Sequence, residues 1–182
     1  MSISEDIKNA VVDAVKGTGD VGVALVDSVS RVAVAALEGA GQVGEAVIKL
    51  PTQLVADALK AVADVGQAGA ETTQHVVSGV VKAVAQSTVD TEQGIQDVAE
   101  QTIKTAKETG QDLGQAAVGA VRGSVDAVTA VGGDAGQATE AAVTGVLKGA
   151  QHVGTDAVDT VAKTLSSSVD GAKDVVKRVL GK

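Results

Sequence analysis

Residues 37–44 read LEGAGQVG, and this order of an aliphatic residue, a charged residue and, in most copies, a closing Gly returns every 22 residues. Blocks cut from residue 15 begin VKGTGDVG, LEGAGQVG, LKAVADVG, VKAVAQST, IKTAKETG, VDAVTAVG, LKGAQHVG and VDGAKDVV. The register runs without insertion or deletion from residue 15 to residue 182. The sequence therefore predicts a single helical repeat array over residues 1–182.

The repeat places apolar and polar residues on opposite sides of a helix. Twenty-two is twice eleven, and eleven residues make three turns at about 3.67 residues per turn. On such a helix the aliphatic first column and the Gly-rich eighth column share one broad apolar face. We expect the Gly column to lie at close helix contacts and not at turns. The predicted close-packing stripe consists of Val15, Gly22, Leu37, Gly44, Leu59, Gly66, Val81, Ile103, Gly110, Val125, Gly132, Leu147, Gly154 and Val169.

The pattern predicts an all-α protein made of long amphipathic helices. Three breaks are expected, near residues 50–52, 90–94 and 132–134. Pro51 disfavours helical angles at the residue before it, and Asp134 has Gln137 at capping-box spacing. Ser2 and Glu5 have the same spacing at the first predicted helix start. These breaks give four pieces of about 40 residues, as in a four-helix bundle. The unbroken register equally allows a long helical hairpin or one extended helix.

Two hexamers match the G-x-G-x-x-G fingerprint of dinucleotide-binding turns: GTGDVG at residues 17–22 and GAGQVG at residues 39–44. That turn should follow a strand and open a helix. Helix-period sequence surrounds both hexamers, and they occupy the same columns of adjacent repeats. We therefore interpret them as small residues that let a helix lie close to a neighbour, and we expect no nucleotide cofactor.

Composition argues against most chemical functions. The chain has no aromatic residue and no Cys, and its net charge is −8. An acidic surface does not suit nucleic acid, and usual ligand pockets depend on aromatic side chains. His75 and His152 share one phase of the repeat on its polar side, where we expect them to be solvated. We predict a non-enzyme without cofactor, metal site, nucleic-acid partner or small-molecule substrate.

The longest run without a charged residue, Thr72 to Val81, has ten residues, whereas a membrane-spanning helix needs about 20. The N-terminal sequence MSISEDIKNAVVD lacks the basic and apolar regions of a secretion signal. We expect a cytoplasmic protein, either free or peripheral on a membrane or lipid body.

Residues 127–146, AVTAVGGDAGQATEAAVTGV, resemble the repeat region of synucleins, and residues 103–110, IKTAKETG, resemble group 3 late-embryogenesis-abundant proteins. Perilipins and exchangeable apolipoproteins share the eleven-residue period. The resemblance implies helices that form on lipid or on drying, with coating or stress-protective roles. The first hypothesis is therefore that the stripe docks on a lipid or other apolar surface. The alternative is a self-assembling bundle or filament that packs the stripe between helices or copies.

Overall fold

The computed structural model describes residues 2–17, 20–40, 44–87 and 89–181, and the regular elements in these ranges are all α-helices. The predicted all-α class is therefore confirmed. In chain order the helices are α1 (Ile3–Lys16), α2 (Val21–Gly39), α3 (Gly44–Asp64), α4 (Ala70–Ala85), α5 (Thr91–Glu108), α6 (Leu113–Ala130), α7 (Ala135–Val153), α8 (Thr155–Ser168) and α9 (Ala172–Leu180).

The repeat unit corresponds to one helix and one turn. The starts of α5, α6 and α7 are 22 residues apart, at Thr91, Leu113 and Ala135. The longest helix of the described chain, α3, has 21 residues. Helices of about 40 residues, which the sequence predicts, are not found in these ranges. The helices are interrupted at residues 90 and 134, which lie in two of the three segments where breaks were expected. Further interruptions separate the other helices.

In several repeats a glycine just past the helix end is the stop signal. Gly110 and Gly132 follow the ends of α5 and α6 with φ values of +72° and +80°. The left-handed conformation reverses the chain and lets the next N–H reach back over the helix end. After Gly110, the N–H of Gln111 donates to the carbonyl of Ala106 at 2.8 Å. This arrangement satisfies carbonyl groups that the helix end leaves without partners.

A start signal follows two residues after the glycine. The Asp112 side chain accepts a hydrogen bond from the Gln115 N–H at 2.7 Å, and Asp134 accepts one from the Gln137 N–H at 2.8 Å. Asp20 and Asp90 cap α2 and α5 in the same way. The capping box predicted at Ser2 is also confirmed, because its side chain and Glu5 bond each other's backbone N–H groups.

Replacing Asp112 with alanine should remove the cap of α6 and lower the free energy of unfolding by about 1 kcal/mol. Urea denaturation followed by circular dichroism measures this loss. Asp159→Ala is the matched control, because Asp159 is exposed within α8 and caps no helix. Equal losses for the two variants would contradict the capping role.

The break predicted at residues 50–52 is wrong, since Pro51 lies inside α3. Proline in a helix interior removes one hydrogen bond and destabilises the helix by about 3 kcal/mol or more. Leu50, Leu54 and Val55 around it are buried. Their burial offsets the loss, because each fully buried aliphatic side chain contributes about 1.5–3 kcal/mol. The apolar face therefore keeps the helix continuous through the proline.

The helices form two layers. The even-numbered helices α2, α4, α6 and α8 lie side by side in one layer, and the odd-numbered helices lie in the other. Neighbours within a layer run parallel: Gly119 and Gly123 of α6 face Ala70 and Gln74 of α4 in the same order. Among the described residues, each helix packs only on helices one or two places away in the chain. This connectivity is that of a helical solenoid.

The core fills the space between the layers with aliphatic side chains. Ala and Val make up most of it, and its largest fully buried side chains are Ile and Leu. Two buried hydroxyl groups donate within their own helices, Thr102 Oγ1 to the Val98 carbonyl and Ser124 Oγ to the Ala120 carbonyl, each at 2.8 Å. Small side chains bring the helix backbones close together, and this closeness determines where glycine is needed.

Candidate interaction surface

The aliphatic members of the predicted stripe lie in the interior of the array. Leu37, Leu59, Val81, Ile103 and Leu147 are buried, and Val15, Val125 and Val169 are partly buried against the same core. The structure brings them together between its own helices. A single continuous apolar surface made of these side chains is therefore not exposed in the described part of the chain.

The prediction that the Gly column lies at close helix contacts is wrong for four members of the column. Gly66, Gly110, Gly132 and Gly154 have positive φ values and follow helix ends, and a Cβ at any of them would meet nothing within 4 Å. Backbone conformation, not space, requires glycine here. Gly44 begins α3. The surroundings of Gly44 lie outside the described part of the chain, and among the other column glycines Gly22 matches the expectation, because a Cβ there would collide with the His75 ring.

Gly132→Ala should lower the free energy of unfolding by about 1–2 kcal/mol, because alanine disfavours the left-handed conformation. Gly39→Ala supplies the opposite expectation. Gly39 is helical and has open space around its Cα, so alanine there should raise stability by up to about 1 kcal/mol through helix propensity. Thermal or urea unfolding distinguishes the two signs, and a gain for Gly132→Ala would contradict the turn assignment.

Close helix contacts are made by glycines outside the predicted stripe. A Cβ on Gly119 of α6 would lie 2.5 Å from the Ala70 carbonyl oxygen, and one on Gly123 would overlap the Gln74 carbonyl. In α7, a Cβ on Gly145 would likewise overlap the Gln96 carbonyl, and one on Gly149 would overlap the Glu100 carbonyl. Each glycine lies 49 residues after its partner. The α4–α6 and α5–α7 contacts are therefore the same repeat interface in the two layers.

Polar side chains mark the edge of this repeated interface. Gln74 Nε2 donates to Asp126 Oδ2 at 2.6 Å between α4 and α6. Lys148 Nζ donates to Gln96 Oε1 at 3.0 Å between α7 and α5. Both residues of the second pair stand 22 positions after those of the first. The signal that could have identified the glycines is G-x-x-x-G, present as GAVRG at 119–123 and GVLKG at 145–149.

The two histidines lie on different helix pairs. His75 of α4 is half-buried against Gly22 of α2, so the expectation of a solvated side chain does not hold for it. The His152 side chain is 61% exposed, and its Nδ1 lies 3.4 Å from Glu100 Oε1. Lys104 also contacts that Glu100 carboxylate. The cluster joins α5 to α7 at the surface and serves their packing.

Within the residues that the structure describes, no group of three or more His, Cys, Asp or Glu side chains is placed to hold a metal ion. None of the described helices is long and apolar enough to cross a membrane.

An open apolar groove of about 900 Å³ lies beside α1 and α2. Its floor is aliphatic, and its rim carries charges of both signs. No described residue of α4 lines it. The groove is lined by Ile3, Asp6, Asn9, Ala10, Asp13, Arg31, Val32, Ala35, Ala36, Gly39, Ala40 and Leu50. We call this region the α1–α2 edge. Its mixture of apolar and charged groups is typical of a surface that contacts another macromolecule.

No protein-family model matches the chain, and a search of curated proteins finds no significantly similar sequence.

Proposed function

We propose that the chain is a non-enzymatic structural protein, a folded helical-repeat scaffold that packs its Val/Ala/Gly stripe between its own helices. The observation that carries this proposal is the burial of Leu59, Ile103 and Leu147 together with the backbone contacts at Gly123 and Gly145. A stripe that is buried between the helices determines the shape of the array and the spacing of its helices. It leaves the outer faces of the two layers polar and acidic.

A second candidate function is the coating of lipid or another apolar surface, with a stress-protective role. To expose the stripe, the array would have to open. One feature favours this candidate: each described helix packs only on close neighbours in the chain, so helices can separate in sequence without breaking distant contacts. Val and Ala side chains bury little area, which lowers the free energy needed for opening.

Circular dichroism and vesicle flotation distinguish the two functions. The scaffold should be helical in dilute buffer without lipid and should unfold cooperatively. A chain that is disordered in buffer and becomes helical only with vesicles would contradict the scaffold and support coating. Small neutral, small anionic and large liposomes should be compared, because coating through Val and Ala predicts binding to highly curved neutral surfaces with little salt dependence.

Gly123→Leu gives a matched test of the coating function, because it should open the α4–α6 contact. If coating requires opening, this variant should bind small neutral liposomes more tightly than the unchanged chain. Asp159→Leu is the control, since Asp159 is exposed on α8, outside both the α4–α6 contact and the groove. If neither the unchanged chain nor Gly123→Leu floats with any vesicle, coating is contradicted and the scaffold is left as the function.

A further inference from the structure

The α1–α2 edge differs from the rest of the array in how many neighbours its helices have. Within the described ranges, α4 packs on a parallel neighbour at each side, α2 and α6, whereas α2 packs on α4 alone in its layer. The charged residues among its 19, Asp27, Arg31 and Glu38, are spaced by four and seven residues and therefore share one side of α2. The rest of its surface is mostly apolar, and part of it lines the groove.

The apolar lining of the groove comes from both helices. Ile3 of α1 is 40% exposed, and Val32 and Ala35 of α2 line the groove beside it. Val21 and Val23 are also exposed, but they stand at the N-terminal end of α2 and do not line the groove.

The opposite end of the even layer is built differently. In α8 a single row of apolar side chains, Ala157, Val161 and Leu165, is buried. The rest of the helix presents residues such as Asp159 and Lys163 to solvent. A polar outer face is what a terminal repeat of a solenoid needs. The α8 end therefore does not match the apolar groove, and this mismatch disfavours a head-to-tail filament.

Charge makes the α1–α2 edge complementary to itself. Asp6 and Asp13 stand on the α1 side of the groove and Arg31 on the α2 side. Within the described residues, none of the three takes part in an ion pair. When two copies meet about a two-fold axis, the α1 side of each faces the α2 side of the other. Arg31 of each copy then lies opposite the carboxylates of its partner.

We propose that the α1–α2 edge is an interface between two copies of this chain, which associate as a two-fold symmetric dimer. This proposal rests on the proposed scaffold function, because the dimer requires a folded array. It identifies the partner of the scaffold as a second copy of the chain. The dimer buries the groove of both copies and places opposite charges on each side of the axis. A lipid surface fits the edge less well, because two of its three rim charges are acidic and anionic headgroups would be repelled.

Sedimentation across a wide range of protein concentration tests the dimer. Arg31→Glu should weaken it at least about tenfold, because the new carboxylate of each copy then faces Asp6 and Asp13 of the other. The double variant Asp6→Lys/Asp13→Lys should weaken it likewise. An equimolar mixture of these two variants should form a heterodimer, since each side of the interface regains opposite charges. Asp159→Lys at α8 is the control and should leave the dimer unchanged.

Circular dichroism of every variant separates loss of association from loss of the fold. A helical but monomeric unchanged chain would overturn the dimer while leaving the scaffold in place. A dimer that survives Arg31→Glu and Ala35→Glu would place the interface elsewhere and equally overturn it. Flotation of the monomeric chain with neutral liposomes, abolished by Ala35→Glu, would assign the edge to lipid instead. A disordered unchanged chain would contradict the scaffold itself.

Discussion

Replacing Gly123 with leucine is expected to lower the free energy of unfolding by about 3 kcal/mol or more. A single Cβ at this position already overlaps the Gln74 carbonyl oxygen of α4. Backbone atoms cannot rotate away as a side chain does. The whole of α6 must therefore move away from α4. That movement also breaks the Gln74–Asp126 hydrogen bond. Urea denaturation followed by circular dichroism measures the loss.

Gly39→Leu is the control for the same change in a helix without a close neighbour. Leucine has a higher helix propensity than glycine, so this control should be neutral or slightly more stable. Gly145→Leu should resemble Gly123→Leu, because Gly145 meets the Gln96 carbonyl in the equivalent place of the other layer. A large loss for Gly123→Leu with none for Gly145→Leu would show that the two layers are not equivalent.

The helical class and the period could be predicted from the sequence, because an amphipathic 11-residue pattern is a local property. The helix length could not be read from the unbroken register. In the α5–α6 and α6–α7 turns a stop glycine is followed two residues later by a start aspartate, as at Gly132 and Asp134, and these turns leave the period intact. A helix with its turn then fills the 22 residues, and the register continues as if the helix had never ended. The recurring Gly-x-Asp in the repeat was the available signal for these turns.

Pro51 and the glycines show where local signals depend on tertiary packing. Proline predicts a break, but the buried side chains around it hold α3 together. For Gly66 and Gly119 the sequence letter is the same and the reason differs. Gly66 provides a left-handed turn, and Gly119 provides room for the backbone of α4. Which helix lies opposite decides the second role, and that information is non-local.

The groove could not be derived from the sequence for the same reason. In the repeat, Val32 occupies the same column as the buried Leu54, Val76 and Val98, and nothing in that column separates it from them. Val32 lines an open groove because α2 has one neighbour in its layer among the described helices. The groove thus depends on where α2 lies in the array, whereas the burial of the core follows from the repeated sequence pattern.

Leu147→Ala is expected to lower the free energy of unfolding by about 2–5 kcal/mol. Leu147 is fully buried in α7 and is among the largest buried side chains of a core without aromatic residues. Since α7 packs on α5, α6, α8 and α9, closely spaced backbones on several sides hinder collapse around the cavity. Val23→Ala on the exposed side of α2 is the control and should change stability by less than about 0.5 kcal/mol. Urea denaturation gives both values, and native-state hydrogen exchange shows whether opening begins at α7. A loss below about 1 kcal/mol for Leu147→Ala would mean that the core relaxes into the space, and close packing of the stripe would then be contradicted.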